Sequence, residues 1–268
     1  MLPQQIIKLG FLICLILLVG CSSREKAEPV AVIIDGRPET IPVDITSIED
    51  AVPQYEPWSA SVNPESYVVL GKVYRVLPSN KGFKQQGIAS WYGTKFHQKR
   101  TATGETYDMF KMTAAHKTLP IPSYVQVTNI DNQRSVIVRV NDRGPFHEHR
   151  VIDLSYAAAV KLGLDKSGTG FVDVLAVQPG DVKVTTNSAV AKKIYYQIGA
   201  FSVLENAILL QEKVVAVQLT KNRIVTSEAA EGSLFKLQVG PITSVSEADD
   251  ITLKLKKVGI VSGHYISE

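Results

Sequence analysis

Three side chains able to hold or move a proton stand in short, chemically dense runs: Glu105 in TATGETYD, His116 in AAHKTLP and Asp142 in VNDRGPF. Turn-forming and strand-forming residues flank each of them, so groups distant in sequence can converge on one wall of a cleft. Cleavage of a glycosidic bond asks for such a set. One acid protonates the leaving oxygen, and a group must accept a proton in return. The runs therefore mark a candidate sugar-cleaving site.

Each residue also has a plain structural reading. An aspartate between Asn141 and Arg143-Gly144 is ordinary turn chemistry. Pairing with Arg143 would lower its pKa, whereas a dry cleft would raise it, and the sequence leaves both open. Glu105 after Gly104 fits a solvated turn. His116 fits a hydrogen-bonded strand histidine, expected here to position a carboxylate or a sugar. Trp91 and Tyr92 offer flat faces to sugar rings, but strand neighbours point opposite ways, so one at most faces a groove and Trp91 is expected to be buried. Ser90 lacks the flanking glycines of a nucleophile elbow. His147, Glu148 and His149 lack a cysteine and a spaced third ligand, so they read as a solvated loop and no metal site is expected. No phosphate-cradling loop is present, and no cofactor is expected.

The elements that must carry these residues are mostly strands. SYVVLGKVYRVL from Ser66, YVQVTN at Tyr124–Asn129, SVIVRVN at Ser135–Asn141 and FVDVLAV at Phe171–Val177 are rich in β-branched and aromatic residues. Asp131 and Asn132 mark a hairpin. One helix, starting near Ser155 and stopping at Gly163, interrupts them. Short strands with one helix argue for a small β-barrel. A different rhythm follows the polar stretch 181–191, read as a linker. IYYQIGAF at Ile194–Phe201 leads to Ser202 and Glu205, spaced as a capping box, and then a helix through Ala216. LFKLQVGP at Leu234–Pro241 leads to Ser244 and Glu247, then a helix ending at Gly259. The repeat predicts an α+β sandwich, a four-stranded sheet backed by two helices.

The N-terminal part carries an address. Lys8 precedes an apolar run from Leu9 to Gly20, too short to span a bilayer comfortably, which reads as a signal peptide over residues 1–20. Small residues before Cys21 resemble the bacterial lipobox, so Cys21 is the expected site of acylation. Ser22 after it implies, by likeness to bacterial lipoproteins, transfer to the outer membrane. With Cys14 inside the cleaved segment, the mature chain would hold neither a free thiol nor a disulfide. Residues 21–65 contain many prolines among acidic and small residues, with no sustained period, and are expected to form a disordered tether. A hydrophobic content of 45% supports more than one core, and a net charge of +3 without an arginine-rich stripe argues against nucleic acid.

GIASWYG at Gly87–Gly93, KFHQKRTATGETYD, AAHKTLP, VNDRGPF and VIDLS together resemble the septal-ring rare lipoprotein A family. The likeness covers the first half of the folded region and is specific, because five ordered motifs match. It implies a double-psi β-barrel over residues 66–180. Active members are lytic transglycosylases, which cut the β-1,4 bond between N-acetylmuramic acid and N-acetylglucosamine in peptidoglycan and leave a 1,6-anhydro end. Carried over motif by motif, the family's functional residues fall on Glu105, His116 and Asp142, with Asp142 expected as acid and then base. Asp153 in VIDLS resembles the aspartate of the expansin signature and is the second choice; it also suits the N-terminus of the helix at Ser155.

Residues 192–268 resemble, more loosely, the SPOR domain, a ferredoxin-like α+β fold that binds glycan strands stripped of their stem peptides at the division septum. Tyr196, Gln197 and Gln238 are the expected glycan contacts on its sheet. The resemblance thus implies a lipid-anchored enzyme facing the periplasm, enriched at the septum, with peptidoglycan glycan strands as substrate and division proteins as further partners. An expansin-like scaffold that grips glycan without cutting it is the alternative, since one fold serves both roles. A hydrolase using a second carboxylate to activate water is a third reading.

Overall fold

The computed structural model describes residues 35–41, 44–181, 192–229 and 232–268. The signal segment, Cys21 and nearly all of the expected linker at 181–191 lie outside the described residues. Among the described residues, eight strands precede that linker: β1 (Ser66–Val69), β2 (Lys72–Arg75), β3 (Lys84–Tyr92), β4 (Thr113–His116), β5 (Ser123–Asn129), β6 (Ser135–Asp142), β7 (Arg150–Ser155) and β8 (Thr169–Val177). The last six close into a barrel in the order β3-β7-β4-β6-β5-β8. Two of its pairs are parallel, β3 with β7 and β4 with β6, and the others are antiparallel. A parallel pair needs a long crossover, and the Tyr92-to-Arg150 and His116-to-Ser135 connections supply them.

The barrel interior is aliphatic. Ala89, Ala114, Val125, Val127, Val138, Val140, Ile152, Leu154 and Val172 are fully buried in one cluster. Helix α1 (Tyr156–Leu162) plugs one side of this core, and its run Ala157–Ala158–Ala159 lets the backbone lie close to the strands. Ser155 caps it, its Oγ accepting from the Ala158 amide at 3.2 Å, and Gly163 ends it in the left-handed conformation at φ 75°. SYVVLGKVYRVL is strand as expected, but it forms the separate β1–β2 hairpin and not a barrel stave.

The described part of the expected tether, residues 35–41 and 44–65, is bound along the barrel. Asp50 pairs with Lys161 at 2.9 Å, Glu56 pairs with Arg139 at 2.6 Å, and the Asn63 side chain donates to Ile121 O at 2.7 Å. Ile45 enters the barrel core. At Gly36 and Gly93 two backbones meet so closely that a Cβ on Gly93 would stand 2.0 Å from Gly36 O. The correction has a physical reason: proline removes amide donors and breaks periodicity, yet it leaves carboxylates and carbonyls free to bond a neighbouring surface.

The second half contains β9 (Ile194–Phe201), α2 (Leu204–Ala216), β10 (Asn222–Ala229), β11 (Gly232–Ile242), α3 (Val245–Lys257) and β12 (His264–Ser267). Its antiparallel sheet has the order β10-β11-β9-β12, the ferredoxin-like arrangement. Val214 of α2 and Ala248, Ile251 and Leu255 of α3 bury one sheet face. The Ser244 cap forms, its Oγ accepting from Glu247 N at 3.1 Å. The expected Ser202–Glu205 box does not: Val203 occupies the cap position of α2 without a side-chain hydrogen bond.

Candidate functional site

Strand register sets the site. Ala115 on β4 faces Asp142 on β6 and Asp153 on β7, and Asp153 in turn faces Ser90 on β3. Register neighbours share a face, so Asp142, Ala115, Asp153 and Ser90 form one row. Ala114, Ile152 and Leu154, one position away, point into the core. The small Ala115 leaves a gap between the two carboxylates, whose strands stand two inter-strand spacings apart, roughly 9–10 Å. Gly144 borders the same gap, where a Cβ would lie 3.9 Å from Asp153 Oδ2 and 3.8 Å from the Ala115 side chain.

The Thr101–Glu105 turn roofs one end of this row. Asp142 Oδ1 accepts from the amides of Ala102 and Arg143, both at 2.8 Å. Thr103 N donates to Asn141 O at 3.3 Å, and Asn141 Nδ2 donates to Glu105 at 2.9 Å. Glu105 and Asp142 are thereby fixed to one turn. Arg139 bridges Glu105 and Glu56, donating to Glu105 at 2.9 Å and to Glu56 at 2.6 Å.

Environment separates the carboxyls. Burial pushes the Glu105 carboxyl up, but the hydrogen bonds from Asn141 and Arg139 outweigh it and hold the group below the ordinary value, as carboxylate. Burial pushes Asp142 above the ordinary range in spite of its two amide donors and the Arg143 charge. The Arg143 guanidinium spends its donors on Leu119 O, Val62 O and Asn63 Oδ1, not on Asp142, so the dry-cleft alternative holds. Asp153 is also raised by burial, opposed by the hydrogen bond from Ser90 Oγ and by Arg150 and Lys117. It does not cap α1, since Ser155 does.

His116 does not join the carboxylates. One position past Ala115, its ring turns to the other side of the strand and is buried. Nδ1 accepts from the amides of Thr118 and Leu119 at 3.2 and 3.0 Å, and Nε2 sits 3.0 Å from Gln85 Oε1. The ring therefore holds the turn after β4. Burial, aided by Lys117 and Arg143, pushes its pKa down to about 3, so it is neutral at ordinary pH. Trp91 is half-buried against the core and tilts against Tyr156 at 5.3 Å. Tyr92 shares the Ser90 side of β3. It is buried and stacked on Tyr107 at 4.0 Å, and burial together with the Asp142 and Asp153 charges pushes its ionisation far above the ordinary value. Tyr92 thus lies behind the carboxylate row and offers no open stacking face.

In the second half, Gln197 faces Gln238 on one side and His264 on the other, and Arg223 continues the row. Arg223 donates to Gln238 at 3.0 Å and covers the Tyr195 ring at 3.7 Å. Tyr196 faces the other way, into the helix-side core with Val214 and Leu255. Gln238, expected to meet glycan, is buried and bonds Arg223 and Gln197, and Tyr195 is buried beneath Arg223, so Gln197 and Arg223 are the partly open members of this row. Ile194, Tyr196 and Ile198 alternate into the same core, and adjacent strand residues point opposite ways, so Tyr196 and Gln197 do not share one face as expected.

A double-psi barrel with a carboxylate row on one face, followed by a ferredoxin-like sheet, defines a class with matches on both halves. Residues 84–174 match the family model described as lytic transglycolase, and residues 191–267 match the SPOR domain. A Neisseria meningitidis serogroup B protein named endolytic peptidoglycan transglycosylase RlpA is 44% identical over 209 residues, 76% of this chain and 84% of that protein. The chain belongs to the RlpA family. Proteins of the same name from Vibrio cholerae serotype O1 and Pseudomonas aeruginosa strain UCBPP-PA14 are 54% and 58% identical, over 61% and 51% of this chain. The chain spans 61% and 40% of the length of those two relatives.

Proposed function

We propose that this protein is a lytic transglycosylase that cleaves the β-1,4 bond between N-acetylmuramic acid and N-acetylglucosamine in peptide-stripped peptidoglycan strands and leaves 1,6-anhydro ends. The observation that carries the reading is the split between two carboxyls on one turn, Asp142 raised by burial and Glu105 held ionised by Asn141 and Arg139. Environments that push neighbouring carboxyls apart assign acid and anion roles. Protonated Asp142 gives its proton to the glycosidic oxygen as the C1–O bond breaks. Ionised Glu105 steadies the positive charge that develops on the ring. The C6 hydroxyl of the same muramic residue then bonds to C1 and its proton passes to Asp142, so no water is consumed. Asp153 is the alternative acid, and His116 is a positioning residue through the turn it holds.

The chain would be anchored through acylated Cys21 at the outer membrane, facing the periplasm, with the SPOR domain retaining it on denuded glycan at the septum and near the division proteins that work there. Tethering the barrel to a second glycan site raises local substrate concentration without new catalytic contacts. Incubating the purified protein with peptide-free peptidoglycan and analysing products by mass spectrometry tests the chemistry. Anhydro ends are expected; ends heavier by one water would make it a hydrolase, and binding without product would make it an expansin-like scaffold. Asp142→Asn should lower turnover by roughly 10²–10⁴-fold, the usual share of a general acid, with an unchanged melting profile. Full activity in that variant would move the acid role to Asp153. Loss of membrane association in Cys21→Ala tests the anchor.

A further inference from the structure

The N-terminal segment that binds along the barrel also builds a concavity that the carboxylate row does not use. Its volume is about 620 Å³, within the range of small-ligand pockets. Residues Gln54–Trp58 form one wall, and Ser79–Lys81, Pro122–Tyr124 and Val177–Pro179 form the rest. Trp58 Nε1 donates to Pro122 O at 2.8 Å, which fixes the indole, yet the residue stays 44% exposed. Tyr55 beside it is 95% exposed. Two aromatic faces left open at a concavity, one locked by its polar edge, are what a ring with one apolar face would stack on.

The rest of the wall supplies oriented polar groups. Gln178 Nε2 donates to Asn80 Oδ1 at 3.2 Å, and Asn80 Nδ2 donates to Ser123 Oγ at 3.3 Å, so both amides are held before any ligand arrives. Lys81 adds a positive charge. Glu56 on the same wall is bonded to Tyr124 Oη at 2.5 Å and pairs with Arg139, whose other donors hold Glu105. The concavity therefore adjoins the catalytic turn through one chain of contacts, Glu56 to Arg139 to Glu105.

We infer that this concavity is a distal subsite for an N-acetylhexosamine ring of the strand whose scissile bond lies at Asp142, with Trp58 as platform and Lys81 placed for a lactyl carboxylate. The identity of the sugar rests on the peptidoglycan reading above; the stacking site rests on Trp58, Tyr55 and the held amides. The segment that forms it, residues 54–58, lies outside the stretch matched by the lytic transglycolase model. The inferred consequence is a preference for longer strands.

The test uses the full chain and peptide-free peptidoglycan strands of two lengths, one long and one a short fragment that spans only the scissile bond. Trp58→Ala is expected to raise KM on long strands about tenfold with kcat unchanged, and to leave the short fragment unaffected. Trp58→Phe, which keeps a ring, should recover most of the loss. The chain has two tryptophans, so Trp91→Phe isolates the Trp58 emission, which long strands should shift saturably. Should Trp91→Phe fail to fold, the difference in acrylamide quenching between the unsubstituted chain and Trp58→Ala, with and without strands, gives the same readout. An emission and quenching response unmoved by any strand, or an unchanged KM in folded Trp58→Ala, overturns the subsite. Saturable Trp58 protection in a protein that cuts nothing keeps the subsite and removes the transglycosylase reading.

Discussion

At the scale of single residues, ionisation decides what each candidate can do, and pH reads it out. Asp142 must start protonated to serve as acid. Because burial raises its pKa, turnover should persist at pH values where an ordinary aspartate is already ionised, and should fall as pH rises through the raised value. A rate profile with an acid limb from Glu105 and a basic limb that vanishes in Asp142→Asn is the expected outcome. Asp153 gives a stability signature of defined sign. Its folded pKa lies above the unfolded one, so its contribution is present at low pH and is lost as pH rises through the folded value. Asp153→Asn should therefore raise the melting temperature near neutral pH and change little at a pH below about 4, as thermal melts at both values would show. His116 has the opposite sign. Its pKa is depressed from 6.5 to about 3, so the fold loses stability as pH falls across that window. In His116→Gln that slope should flatten, and an unchanged slope would place the acid sensitivity elsewhere.

At the scale of elements, hydrophobic pattern carried most of what the sequence disclosed. The β-branched runs of β5, β6 and β8 and the alanine-rich α1 were legible because each has one period and a clear stop. Three things were not. The parallel pairings of β3 with β7 and β4 with β6 join segments far apart in sequence, and no local pattern records such contacts. The strand β4 is only TAAH, too short to show a period, yet its register sets Asp142 and Asp153 on either side of Ala115. The segment 44–65 lacks a period because its partners are single carboxylates and carbonyls spread along the barrel. Its role is open to test through Glu56. With Glu56→Gln, Arg139 loses one of its two anionic partners and the segment's tie to the Thr101–Glu105 turn weakens from an ion pair to a neutral hydrogen bond. Removing one member of such a half-buried network should cost about 1–3 kcal/mol of stability, measurable by denaturant titration, with turnover falling less than in Asp142→Asn.

At the scale of the whole molecule, one half carries the carboxylates and the other a row of glutamine and arginine side chains, each on its own rigid sheet. The SPOR half shows why phase matters. Tyr196 alternates into the core with Ile194 and Ile198, whereas Tyr195, Gln197, Gln238 and Arg223 share the face away from the helices. Substitutions on the two sides of β9 should therefore part company. Tyr196→Ala leaves a void among Val214, Leu255 and Tyr265 and is expected to cost about 3–5 kcal/mol, the range for a buried aromatic. Arg223→Ala removes a donor to Gln238 and the cover over Tyr195 without opening the core. It should weaken retention on peptide-free peptidoglycan in a sedimentation assay while turnover of soluble short strands stays unchanged. Equal loss of both properties would mean that the second sheet supports the barrel's chemistry directly, and undiminished retention would move the glycan-binding face off this row.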